Sequence, residues 1–364
     1  MTQALARLSA ETLQTFAGRC FGQVGLRPND AALVADTLVA AELRGVTSHG
    51  LIRLPVYLRN LRDGVVDATA HPTLAADGPA VALVDGRRAM GQVAAKFAMD
   101  LAIARARDNG IAAVAVRNSN HFGAGAYWAM LALPEQMIGV AMTNGAVAMA
   151  PTGGVTPLLG NNPLAVASPA GDEHPIVLDM AQTMVARGWI KLAAMRGQSI
   201  PDGWAQDARG QPTNDPSAAL DGSLLPIGGY KGYGLSVVVE LLAAAISGAA
   251  MGPALENMGF TAGAHEQRTY SVHGVGGQGT GHFFAAIDIR RFMPLDVYSS
   301  RVDALIQTMK ASEMGQGAES IFLPGEKEFI AERQRRTEGA PISTEIQAEL
   351  QAASELTGVP VPVA

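Results

Sequence analysis

From residue 73 to residue 287 the hydrophobic pattern switches repeatedly between two periods. Short apolar or β-branched runs at 81–84, 111–116, 137–142, 164–167, 176–178 and 283–287 predict buried strands. Apolar residues spaced three and four apart predict helices over 91–109, 127–133, 183–195 and 233–246. Before and after this stretch the pattern is helical alone. Ser9 opens a first helix with Leu13, Phe16 and Ala17 on its apolar face. Pro28, Asn29 and Asp30 open a second, in which Leu33, Val34, Leu38, Val39 and Leu43 recur until Gly45. Residues 51–61 predict a third, with Pro55 in its first turn, where the missing N–H is tolerated. Residues 297–310, 326–335 and 343–353 predict helices again, and 197–227, rich in Asp, Gly, Pro and Asn, reads as an ordered surface excursion. The pattern predicts a mixed α/β fold. A central α/β domain over 73–292 is flanked by a helical subdomain that both ends build, from 1–72 and 293–364.

With 364 residues, 48% of them hydrophobic, the chain can bury a sizeable core. Its 33 acidic and 27 basic side chains give a net charge of −6, which argues against a nucleic-acid or anionic-membrane surface. An anionic substrate would have to be gathered by local positive groups. Cys20 is the single cysteine, so no intramolecular disulfide forms, and no Cys/His cluster has zinc spacing; no metal is expected. Cys20 lies on the apolar side of the first helix and reads as a buried structural thiol. The N-terminal residues lack a signal-type apolar region, and the longest apolar stretch, 235–251, is interrupted by Glu240 and Gly248. The expectation is a cytoplasmic protein with no membrane partner.

Chemistry concentrates at turns. His121, Phe122, Gly123, Ala124 and Gly125 join a predicted strand to a predicted helix. Backbone N–H groups at such a helix start suit an anionic ligand, and a histidine there can move a proton near neutral pH. The plainer alternative is a helix cap beside a surface histidine. Ser48, His49 and Arg53 form a second group. His49 and Arg53 share a face if the helix begins by Gly50; otherwise Ser48 is a cap and the other two are solvated. Asn144 follows a strand and is either a turn residue or a pocket carboxamide. Asp179 closes a strand, as a plain N-cap or as a ligand contact. Lys231, in Tyr230-Lys231-Gly232 before a long apolar run, is a phosphate contact or a solvated lysine. The run 274–279 matches G-x-G-x-x-G, but no strand precedes it and a strand pattern follows, so it reads as a loop rather than a Rossmann turn.

Taken together, the segments 47–57, 117–125, 160–165, 177–181, 204–216, 229–235 and 323–327 resemble, in order and interval, the malate/L-lactate dehydrogenase family. That family includes ureidoglycolate and sulfolactate dehydrogenases, diketogulonate reductases and cyclic ketimine reductases. The resemblance spans nearly the whole chain. It implies a non-Rossmann α/β enzyme, a homodimer, using NAD or NADP to move a hydride between the cofactor and a small 2-hydroxy or 2-oxo carboxylic acid. Reduction of a cyclic ketimine carboxylate is the alternative. The resemblance makes His49 the proton donor, oriented by Ser48, with His121 as the competing acid–base residue. Arg53 grips the substrate carboxylate, and Asn144 joins the same pocket. Asp179, Met180 and Ala181 lie against the nicotinamide or the substrate. The cofactor is held by His121 to Gly125, Tyr230, Lys231, Gly325, Glu326 and Lys327. In the ketimine-reducing relatives an aspartate joins the Ser–His pair, and here Trp189 stands at the corresponding position. An indole cannot balance an imidazolium charge, which favours a 2-oxo acid over a cyclic ketimine.

Overall fold

The structure, a computed structural model, describes residues 6–255 and 279–363. It opens with strand β1 (Ala6–Leu8) and helices α1 (Ala10–Gln23), α2 (Pro28–Leu43) and α3 (Leu54–Arg62). The Ser9 hydroxyl accepts the Thr12 N–H at 3.1 Å and so starts α1, while Pro28 occupies the first turn of α2. Leu13, Phe16, Phe21, Val34, Leu38 and Leu58 interlock in one buried cluster. Far along the chain, α11 (Thr344–Thr357) adds Ile346 and Leu350 to that cluster, and β14 (Ala340–Ile342) pairs with β1. Cys20 is buried there, its thiol accepting from Thr357 Oγ1.

A second buried cluster sits on a seven-stranded sheet. Its strands are β2 (Thr73–Asp77), β3 (Val81–Asp85), β4 (Ile111–Ser119), β5 (Met137–Thr143), β8 (Leu164–Ser168), β9 (Ile176–Met180) and β13 (Thr280–Asp288), in the order β2-β3-β4-β13-β5-β8-β9. All six predicted strands are present. Among the described strands of this sheet only β3 and β4 pair in parallel, and the crossover between them is α4 (Gly91–Asn109), as a parallel connection requires. Ala98, Met99 and Ala102 of α4 and Trp128 of α5 (Gly125–Met130) pack on Val114, Val116 and Phe284. A smaller sheet contains β6 (Val147–Met149), β7 (Leu159–Gly160), β10 (Ala205–Gln206), β11 (Pro212–Thr213) and β12 (Ser223–Leu224). The excursion 197–227 therefore carries ordered structure, including α7 (Pro216–Asp221).

Several boundaries differ from those the pattern predicts. Helix α6 runs from Arg187 to Met195, because Thr183 bridges Pro226 and the Met184 N–H donates to Leu225 O, keeping 183–184 extended. Helix α8 (Tyr230–Glu240) starts earlier than predicted and widens into a π turn over Leu241–Ala245. Helix α9 (Leu295–Lys310) is fixed to the β8–β9 turn: Asp303 accepts the Gly171 and Asp172 N–H groups, each at 2.9 Å. Helix α10 (Glu326–Glu338) reaches α2 through Arg44 and Glu332, 3.1 Å apart. Of the run 274–279, only Gly279 lies within the described residues.

Two close fits set the geometry around 119–125. A Cβ on Gly91 would press into the carbonyl oxygens of Asn120 and His121, so the first residue of α4 must be glycine for the helix to seat on that turn. His282 is fully buried in β13. Thr143 Oγ1 spends its proton on backbone carbonyls, so His282 Nδ1 donates to it, and Nε2 accepts from Ser119 Oγ, both at 2.8 Å. Burial pushes this imidazole down to about 3.

Gly91→Ala is expected to cost about 3 kcal/mol of stability, as forced overpacking does, measured as a lowered denaturant midpoint. A second outcome concerns pH. His282 takes up a proton on unfolding, so its contribution to stability is complete above its unfolded value near 6.5 and is lost as pH falls from there toward about 3. Urea titrations between neutral and acid pH should show a shallower loss for His282→Gln than for the parent. An identical slope would mean that His282 is not a source of the acid sensitivity.

Candidate active site

The chain leaves α2 at Leu43 and passes through two 3₁₀ turns, Thr47–His49 and Leu51–Arg53, before α3 begins. Gly50, with ψ −145°, breaks the helix between them. The expectation that a helix starting by Gly50 aligns His49 and Arg53 is thus corrected. They are brought together because Arg53 Nε folds back to donate to Ser48 O at 2.7 Å. Ser48 Oγ lies 3.0 Å from His49 Nδ1. Beneath the turn sits Glu42, fully buried, whose Oε2 accepts the Leu51 N–H at 3.1 Å. A side chain on Gly50 would collide with that carboxylate. Burial pushes Glu42 up to about 7, and its Oε1 has no hydrogen-bond partner among the described residues.

His121 arrives from the other cluster. Its Nδ1 is 2.7 Å from the Tyr57 hydroxyl and 3.3 Å from the Gly123 N–H. A backbone amide can only donate, so Nδ1 accepts, and the neutral ring carries its proton on Nε2. The His49 and His121 rings stack with centroids 5.6 Å apart and an interplanar angle of 18°. Burial, reinforced by the Arg53 cation, pushes His49 down to about 4. Burial also holds His121 well below its ordinary value, with His49, Arg53 and His282 adding to the effect. Tyr57 is pushed up to about 12 by burial, against the pull of Arg53. Both histidines are therefore neutral at pH 7 in the free protein. Phe122 is buried and stacks on His282 at 4.8 Å, so its side chain is spent on the core rather than offered to a ligand.

A second focus is Asp179, at the end of β9. Its Oδ2 accepts the Ala126 N–H at 2.8 Å, and a Cβ on Gly125 would stand 3.1 Å from Oδ1. The start of α5 thus already holds an anion, and that anion is the protein's own carboxylate. The expectation of N–H groups left open there for a ligand is corrected accordingly. Asp179 is reached by solvent yet ringed by protein atoms. This crowding raises it to about 6, against the opposing pull of the Ala126 and Gly125 N–H groups.

The C-terminal turn packs beside it. Val177 N donates to Pro324 O at 2.9 Å, and Gly325, at φ 87°, leaves no room for a side chain against Val177. Met180 and Ala181 continue from Asp179, and the Ile227 N–H donates to Gln182 O at 2.9 Å, bringing the exposed Tyr230 and Lys231 to the same region. Glu326 is committed to Lys310 and to the Leu323 N–H, while Lys327 lies over the Phe322 ring at 4.8 Å.

Other predicted residues are placed differently. Asn144 is buried and its amide is committed: Nδ2 donates to Ala250 O at 2.8 Å and to Glu240 at 3.3 Å, and Oδ1 accepts the Gly281 N–H at 2.9 Å. Trp189 is 54% exposed on α6. A cleft of about 540 Å³ lined by Arg27, His71, Val93 and Phe97 lies at the far end of α2 and contains none of the residues predicted for the site. Among the described residues no group of three or more His, Cys, Asp and Glu could hold a metal ion. No helix among them is long and apolar enough to cross a membrane. Sequence reasoning assigned no role to Tyr57, Glu42 or His282. Tyr57, one helical turn beyond Arg53, carried a usable signal; the other two look like ordinary members of apolar segments.

A sequence model of the malate/L-lactate dehydrogenase family matches residues 8–351. A malate dehydrogenase of Pyrococcus horikoshii is 36% identical over 97% of this chain and 96% of its own length. A (2R)-3-sulfolactate dehydrogenase (NADP(+)) of Chromohalobacter salexigens is 37% identical, over 92% and 93% respectively. Among solved structures, the sulfolactate dehydrogenase from Methanocaldococcus jannaschii superposes with a TM-score of 0.87 at 36% identity, covering 98% of both chains. The δ1-piperideine-2-carboxylate reductase from Pseudomonas syringae gives 0.81 at 32% identity, covering 96% of this chain and 99% of that one. Matched over nearly its whole length in both sequence and structure, the chain belongs to the malate/L-lactate dehydrogenase family.

Proposed function

We propose that the stacked His49–His121 pair and Arg53 form the reaction centre of an NAD(P)-dependent 2-hydroxy acid dehydrogenase. The activity class follows from the family: the chain is an oxidoreductase that uses NAD or NADP and acts on small 2-hydroxy and 2-oxo carboxylic acids. The observation that carries the site assignment is electrostatic. A guanidinium and two imidazoles share one partly enclosed cluster, where burial first, and the Arg53 cation in addition, hold both rings neutral. A carboxylate seated beside Arg53 reverses that push.

The described residues fit a dinucleotide. Gly125 and Gly325 pack closely beside Asp179 and Val177, Asp179 itself faces solvent, and Tyr230, Lys231 and Lys327 are exposed. We assign His121, Gly123, Ala124, Gly125, Asp179, Met180, Ala181, Tyr230, Lys231, Gly325, Glu326 and Lys327 to holding it. The mainly antiparallel sheet, with a single parallel pair, supports binding without a Rossmann turn. Residues 73–292 then act as the cofactor-binding domain, with 1–72 and 293–364 as the helical subdomain. Exposed Leu235, Val238, Leu241 and Ile246 support a homodimer.

When bound, the nicotinamide supplies or accepts the hydride. Arg53 anchors the substrate carboxylate. The His121 Nε2–H donates to the substrate oxygen, and His49, oriented by Ser48, delivers the proton to the developing alkoxide or removes it in the reverse direction. No carboxylate is among the groups that shift His49, which favours a 2-oxo acid over a cyclic ketimine.

A screen of 2-oxo acids, 2-hydroxy acids and cyclic ketimines with both cofactors tests the reading. A ketimine with a kcat/KM above every 2-oxo acid would reverse the preference. Arg53→Lys should lower kcat/KM for the best 2-oxo acid about thirtyfold, the worth of a charge-assisted hydrogen bond, and an unchanged value would remove Arg53 from the site. Binding should also take up a proton, because His49 rises from about 4 when the carboxylate seats. Affinity for the 2-oxo acid should therefore fall as pH rises through the value in the complex. Calorimetry in two buffers of different ionisation heat reads the uptake directly, and its absence would place the carboxylate away from the histidines.

A further inference from the structure

Gln92 stands in the first turn of α4, one residue after the glycine that seats this helix on the backbone of Asn120 and His121. It is fully buried, and neither its Nε2 nor its Oε1 has a hydrogen-bond partner among the described residues. An unmatched buried amide costs stability that an apolar side chain of the same shape would avoid. The side chain is also aimed. A Cβ on Gly123 would touch its Nε2 at 3.8 Å, and the amide bears on the Tyr57 hydroxyl, which it favours in the ionised form. It therefore lies beside the Tyr57–His121 pair, its approach to the Tyr57 hydroxyl falling short of a full hydrogen bond in the resting geometry.

We propose that Gln92 is a positioning residue for the reaction: its amide closes onto the Tyr57 hydroxyl when a substrate engages His121, completing a Gln92–Tyr57–His121 chain. The inference rests on His121 acting in the reaction. The chain is set up by the tautomer. Nδ1 accepts from Gly123 and Tyr57, so Nε2–H faces the ligand. When Nε2–H donates to a substrate oxygen, Nδ1 becomes a stronger acceptor and draws the Tyr57 hydroxyl closer. The Tyr57 oxygen, having given more of its proton, becomes a stronger acceptor in turn, and the Gln92 Nε2–H is the donor beside it. The bond is thus strongest as charge develops on the substrate, where it lowers the barrier rather than stabilising the resting fold. The stability forfeited at Gln92 in the free protein is the mark of such a role.

The test is a double-mutant cycle of Gln92→Met and Tyr57→Phe. Thermal midpoints and kcat are measured with oxaloacetate and pyruvate, each with NADH and NADPH. Gln92→Met should leave the thermal midpoint equal or raised while kcat falls about tenfold, a coupling of ordinary size for side chains in one network. KM for the cofactor should not move. In the Tyr57→Phe background the same substitution should change kcat less than about twofold, because the hydroxyl that transmits it is gone. Full kcat in Gln92→Met would overturn the proposal. So would an equal loss in both backgrounds, or a lowered midpoint with kcat per folded molecule unchanged. If the parent protein turns over none of these acids, the functional reading is what fails. The nitrogen chemical shifts of His121 with oxamate and NADH then decide the inference alone. A shift in proton occupancy between Nδ1 and Nε2 on Gln92→Met supports it, and unchanged shifts overturn it.

Discussion

The hydrogen bond between the Tyr57 hydroxyl and His121 Nδ1 joins the helical buried cluster to the turn above the large sheet, at the point where chemistry is proposed. Tyr57 belongs to the cluster that the two chain ends build, and His121 to the turn above the seven-stranded sheet. The bond aligns α3, which carries Arg53, with the strand–helix connection that carries His121. It also decides which ring nitrogen of His121 can face a ligand. The close seat of Gly91 on the Asn120 and His121 carbonyls fixes the same turn from the opposite side. Two independent constraints on one peptide segment hold its histidine to a narrow geometry, which a proton donor or hydrogen-bond donor requires.

Electrostatics follow from that placement. Bringing Arg53, His49 and His121 together in a partly enclosed space costs charge, and the molecule meets the cost by keeping both imidazoles neutral. A carboxylate is the ligand we propose for this cluster, and its negative charge links binding to protonation in that reading. Buried His282, held neutral by its burial and bonded to two hydroxyls, stacks on Phe122 without adding charge.

Around Asp179 the logic is reversed. The start of α5 holds its own carboxylate, and backbone turns at Gly125 and Gly325 pack tightly beside it. The carboxylate remains accessible to solvent while crowding raises its proton affinity. In the function proposed above, this region takes the cofactor and the Arg53–histidine cluster the acid.

Periodicity in the sequence determined which segments are strands and helices, because apolar residues at spacing 2 or 3.6 can bury only one way. Six of the seven strands of the large sheet and most helices were legible on that basis. The order of motifs from Ser48 to Lys327 was legible as a family pattern, and with it the activity class. What tertiary structure alone decided were contacts between residues distant in sequence. Gly50 breaks the helix that spacing predicted, since Glu42 occupies the volume a side chain there would need. Asn144 reads as a pocket residue by position, yet its amide is spent on Ala250, Glu240 and Gly281. The free N–H groups that a strand–turn–helix suggests at α5 are met by Asp179, 53 residues further on. The placement of Tyr57 and Gln92 beside the 121–123 turn came only from packing α3 and α4 against it. Local pattern fixes what each segment becomes, but hydrogen bonds are satisfied in three dimensions, and a single sequence does not say which donor will meet which acceptor.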